Sequence, residues 1–161
     1  LGELTDVRSE GIEYWLRSGA HGSVTGQVWA SVGLEVIVKA YDKDPRLTKR
    51  LAEIALDGEQ PSWLVELAYS GLLEVAKQEP LMVVKQVASV FDDDLEPRLH
   101  SIGGQHTLEQ AVKLLGEVPV DAAEEVLGRV LPRAKDTWFE KTIGDALGRH
   151  CARHRVAEQE A

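Results

Sequence analysis

Apolar residues recur at three- and four-residue spacing along most of this chain, and most of its prolines fall near the starts of the resulting stripes. A proline suits the first turn of an α-helix, where its missing N–H has no intrahelical acceptor, and it breaks a helix interior. The pattern predicts a series of short helices. Over residues 1–19, Ile12, Trp15 and Leu16 share one face, Thr5 or Asp6 is placed to cap, and Gly19 and Gly22 mark the end. Over 23–41, Val24, Val28, Val32 and Val36 step by four and predict a helix face. The stretch from Leu34 to Tyr41 also reads as a strand by its β-branched content, but no other segment supplies a partner strand, so helix is favoured.

Asp44 and Pro45 open the next helix, with Leu47, Leu51 and Ile54 on one side and Asp57-Gly58 closing it. Pro61-Ser62 begins another, whose stripe is Trp63, Leu64, Leu67, Ala68, Leu72, Val75 and Ala76. Pro80 leads a third, with Leu81, Val84, Val87, Ala88 and Phe91 facing inward. Asp94 is placed to cap a short helix that tolerates Pro97 in its first turn, points Leu95, Leu99 and Ile102 to the core, and stops at Gly103-Gly104. Thr107 and Gln110 form a capping box before Leu108, Val112 and Leu115, and Asp121 and Glu124 repeat that arrangement before Val126, Leu127 and Val130. Pro132 ends or kinks that helix, and Asp136 caps the last one, with Phe139, Ile143, Ala146, Leu147 and His150 in register.

The expected fold is therefore all-α: about nine helices in one domain over residues 1–155, then a polar, fraying tail over 156–161. The chain's 161 residues can bury a real core. Two helices per unit give a period of about 40 residues. Asp44-Pro45 at a helix start, the Leu-Gly pairs near stripe ends at Leu115-Gly116 and Leu147-Gly148, and the run from Ile143 to Gly148 resemble HEAT and armadillo-type repeats over residues 44–150, whereas Leu127-Gly128 falls mid-stripe. That run, Ile143 to Gly148, looks most like the end of a second helix in a HEAT unit. The resemblance implies antiparallel helix pairs stacked as a short α-solenoid. An irregular multi-helix bundle is the alternative, because either arrangement buries the apolar stripes.

Charge narrows the partners. A net charge of −9 disfavours nucleic acid and anionic membranes, which call for a basic face; only Arg149, Arg153 and Arg155 hint at one. The single cysteine, Cys151, excludes an intrachain disulfide and suits a reducing, cytoplasmic setting. No apolar run approaches the roughly 18 residues of a membrane span.

Few residues invite chemistry. Asp92-Asp93-Asp94 is the densest acidic run, but neither the turn glycine nor the further ligands of a calcium loop follow it, so it reads as a solvated helix end. His150 and His154 lie four apart and could hold zinc if a third ligand came from elsewhere, with Cys151 turned roughly 100° away. His100 and His106 flank Gly103-Gly104, which lacks the lysine and hydroxyl residue of a phosphate loop, and Ser101 lacks a nucleophile elbow. No catalytic residue is assigned and no cofactor is expected.

Trp15, Trp29, Trp63 and Trp138 suit cores or interfaces, and Trp63 and Trp138 stand in first turns, at the edge of a helical layer. Glu66, Glu74, Glu109, Glu117, Glu124 and Glu125 form an acidic polar surface. The reading that follows is a non-enzymatic protein-interaction module, with Trp63, Glu66, Glu74, Glu109, Glu117 and Trp138 as partner-binding residues and a basic protein as partner. Two other readings stand beside it. One is a metal- or ligand-binding enzyme domain centred on the Asp92–Asp94 run, His100, His106, His150 and His154; the other is a HEAT-like nucleic-acid binder.

Overall fold

The computed structural model describes residues 24–160, with side-chain surroundings from residue 32 onward. The helix expected over 1–19, with Trp15, and the side chain of Trp29 lie outside the described residues. Every element among the described residues is helical. Eight α-helices follow in order: α1 (Val24–Tyr41), α2 (Pro45–Ala55), α3 (Ser62–Gln78), α4 (Pro80–Ala88), α5 (Glu96–Leu99), α6 (Ile102–Glu117), α7 (Asp121–Val130) and α8 (Trp138–Glu160). Short 3-10 turns cover Ser89–Phe91 and Leu131–Ala134. The choice of helix over strand for the valine-rich segment holds. The described residues fall into two compact units, one comprising α1 to α3 and the other Leu56–Gly58 with everything from Pro80 onward.

In the first unit, α3 packs on both α1 and α2. Leu34 and Val38 of α1, Leu47, Leu51 and Ile54 of α2, and Leu64, Ala68, Leu72 and Val75 of α3 are buried. Asp44 starts α2 as expected: its Oδ1 accepts from the Arg46 N–H at 3.0 Å, and Pro45 takes the first helical position. The face of α1 differs from the valine stripe. Val32 and Val36 are 49% and 62% exposed, and the helix turns Leu34 and Val38 inward. Gly71 of α3 makes room for the larger leucine: a Cβ there would stand 3.3 Å from both Leu34 Cδ2 and Leu51 Cδ1. Leu67 is only half-buried.

In the second unit, α6, α7 and α8 pack on one another, and α4 contacts α6 and α7. Leu108, Ala111, Val112 and Leu115 of α6, Leu127 of α7, and Phe139, Ile143 and Ala146 of α8 are all fully buried where these helices pack. The Phe139 ring lies 6.3 Å from Phe91 and 5.3 Å from Trp138, the second contact edge-on. Leu81 and Ile102 reverse the expected inward orientation, at 65% and 91% exposed. Each stands in the first turn of its helix, before the packed stretch begins.

Most differences from the sequence reading concern helix ends. Gly103-Gly104 does not stop a helix; it lies in the first turn of α6, whose N-cap is Ser101, with Ser101 Oγ accepting from the Gly104 N–H at 3.1 Å. Thr107 is consequently interior and caps nothing. Its hydroxyl donates to Leu56 O at 2.6 Å and to Gly103 O at 3.0 Å, the first bond tying the 56–58 segment to α6. Asp121 is the first residue of α7, after Val120, and no side chain caps that helix. Asp136 holds the left-handed turn ahead of α8, at φ 64, where aspartate is among the residues that tolerate it. Its N–H donates to Glu140 Oε2 at 2.8 Å. Leu147-Gly148 sits inside α8, which continues to Glu160 with its side chains from Cys151 onward exposed.

Candidate functional site

Among the described residues of the first unit, a groove of about 440 Å³ lies between α1 and α3. Leu34, Val38, Leu67 and Gly71 supply its apolar surface, and Glu35, Lys39, Ser70 and Glu74 its polar margin. The groove follows from two local facts. Gly71 presents no side chain, and α1 directs Leu34 and Val38 toward α3 rather than its valine stripe. The carboxylates at the margin are held loosely. Glu35 pairs with Lys39 at 3.1 Å and Glu74 with Lys77 at 2.7 Å, both on exposed helix surface where such pairs contribute little.

The six partner-binding residues expected from sequence are distributed over both units. Trp63, Glu66 and Glu74 lie on α3: Trp63 is half-buried, while Glu66 and Glu74 fall with Ser70 on one exposed stripe. Glu109 and Glu117 lie on the exposed side of α6 in the second unit, with Lys113 between them. The shallow depression beside Glu109, about 270 Å³, is lined by both signs of charge: Glu109 and Asp145 against Lys113 and Arg149. Trp138, at the start of α8, is 38% exposed, and its indole N–H donates to Leu99 O at 3.0 Å. That bond anchors the ring beside α5.

The acidic run is occupied by structure. Arg133 donates to Phe91 O at 2.6 Å and to Asp93 O at 2.8 Å, and Arg98 donates to Val90 O. Two guanidinium groups thus bind backbone carbonyls of the run and of the turn just before it. Asp94 Oδ1 accepts from the Glu96 N–H at 3.1 Å, which serves the start of α5.

The histidines separate. His100 is exposed and pairs with Glu96 at 2.8 Å. His106 is half-buried, with no partner for Nε2 among the described residues. His150 is buried, and its Nε2 donates to Leu115 O at 2.8 Å, which removes it from a paired-imidazole site with His154. His154 instead faces the first turn of α7, 3.2 Å from Glu124 Oε2 and 3.8 Å from Asp121 Oδ1. Sequence reasoning placed Asp121 and Glu124 in a helix cap and missed this grouping. Three residues from helices joined through the Leu131–Ala134 turn have no local spacing that announces them. Leu34, Val38 and Gly71 were missed as groove residues for the same reason.

No helix among the described residues is long and apolar enough to cross a membrane. Comparison of the chain with protein-family models, with curated proteins and with solved structures gives no match.

Proposed function

We propose that this chain is a non-enzymatic protein-interaction module whose α1–α3 groove takes a basic, amphipathic segment of another protein. The groove itself carries the reading: apolar walls flanked by Glu35 and Glu74, on a chain of net charge −9. Apolar side chains of the segment lie against Leu34, Val38 and Leu67, and its cations displace Lys39 and Lys77 from their carboxylates. In this reading the helices stack as pairs in the manner of HEAT and armadillo-type repeats. Direct packing of α2 on α3 across a short link supports that arrangement. Cys151, an exposed free thiol, suits a cytoplasmic setting.

The test is a titration of isotope-labelled protein with a synthetic lysine- and leucine-rich helical peptide. Amide shifts should concentrate at Leu34, Val38, Leu67 and Gly71, weaken as salt is raised, and disappear in Leu67→Lys and Glu74→Lys. Shifts scattered over both units, or unchanged by both substitutions, would remove the groove as the docking surface.

A further inference from the structure

We infer that Asp121, Glu124 and His154 form a divalent transition-metal site of the zinc class that ties the outer part of α8 to the start of α7. One ligand atom from each side chain can be chosen so that all three lie within 4.8 Å of one another, and this is the one grouping of three metal-ligating residues with that property among the described residues. A tetrahedral zinc ion with bonds of about 2.0–2.1 Å holds its ligand atoms about 3.4 Å apart. The two separations from His154 Nε2, 3.2 Å to Glu124 and 3.8 Å to Asp121, lie on either side of that edge length. Small rotations of these exposed or half-buried side chains close the difference.

The placement is imposed by the fold. Buried His150, bonded to Leu115 O, fixes the rotation of α8 against α6. One turn further on, His154 is thereby aimed at the first turn of α7, where Asp121 and Glu124 share a face at i, i+3 spacing. One imidazole and two carboxylates leave room for water in the fourth position. The imidazole selects zinc and its neighbours in the first transition row over calcium and magnesium, which take oxygen ligands. The ion would give α8 a second attachment in a stretch where every side chain from Cys151 to Glu160 is exposed.

Isothermal titration of tag-free protein with zinc chloride at neutral pH, followed by hydrogen exchange with and without zinc, tests the site. The expected result is one zinc per chain and slower exchange of amides 152–160 when it is bound. Uptake should fall at least tenfold in His154→Ala and in the double variant Asp121→Asn/Glu124→Gln, and should persist in Cys151→Ser. All of these positions are exposed or half-buried, and an unchanged helical circular dichroism spectrum verifies folding of each variant. Four outcomes overturn the inference: no zinc uptake, which leaves only an imidazole–carboxylate pair; uptake that survives the double amide variant; uptake lost in Cys151→Ser; or equal affinity for calcium or magnesium.

Discussion

Gly103 and Gly104 stand side by side in the first turn of α6 and have different reasons to be glycine. A Cβ at position 104 would overlap the Arg98 Cα and stand 2.5 Å from Ser101 Oγ and 2.6 Å from the Arg98 carbonyl. The backbone of α5 cannot withdraw easily, because Arg98 and Leu99 both donate their N–H groups to Leu95 O. A Cβ at position 103 meets nothing within 4 Å. Gly104→Ala should therefore destabilise the protein by about 2 kcal/mol or more through backbone overlap and loss of the Ser101 cap. Gly103→Ala should be neutral or stabilising by up to about 1 kcal/mol, since alanine is the better helix former. Chemical denaturation of the two variants measures the contrast, and equal effects would show that the close approach of α5 and α6 is misplaced.

At the scale of the helix, apolar periodicity located the elements well and oriented some of them poorly. The starts marked by Asp44-Pro45, Pro61 and Pro80 were legible because a proline and its preceding residue act locally. The start of α6 was not. Thr107 and Gln110 have the residue types and spacing of a capping box, but the hydroxyl of Thr107 is taken by Leu56 O, a contact across 51 positions of chain. The valine stripe of α1 failed for a related reason. Successive i, i+4 steps drift by about 40° around a helix, so two neighbouring stripes compete and the partner surface decides between them. Here the vacancy at Gly71 admits Leu34. Val38→Asp should consequently destabilise the first unit by several kcal/mol, because it buries a carboxylate without a partner, whereas Val36→Asp should change stability by about 0.5 kcal/mol or less. Thermal melts of the two variants decide the register of α1, and a larger loss from Val36→Asp would restore the valine face.

For the whole molecule, the sequence made the helical class readable, because a stripe is a property of one segment. Which stripes share a core, and which polar groups converge, depends on contacts between distant segments. The groove residues Leu34 and Gly71 and the Asp121, Glu124 and His154 grouping belong to that second kind of information. The two units have separate centres: Leu72, fully buried, in the first and Phe139, also fully buried, in the second. Leu72→Ala opens a cavity of leucine type and should cost about 2–5 kcal/mol, and Phe139→Ala about 3–5 kcal/mol. Because each side chain packs within its own unit, the loss of protection should be local. Native-state hydrogen exchange should show faster exchange confined to α1–α3 in Leu72→Ala, and to α4–α8 in Phe139→Ala. Were both variants to accelerate exchange evenly along the chain, opening would be a single global event, and a groove built from the first unit alone could not be treated as an independently folded surface.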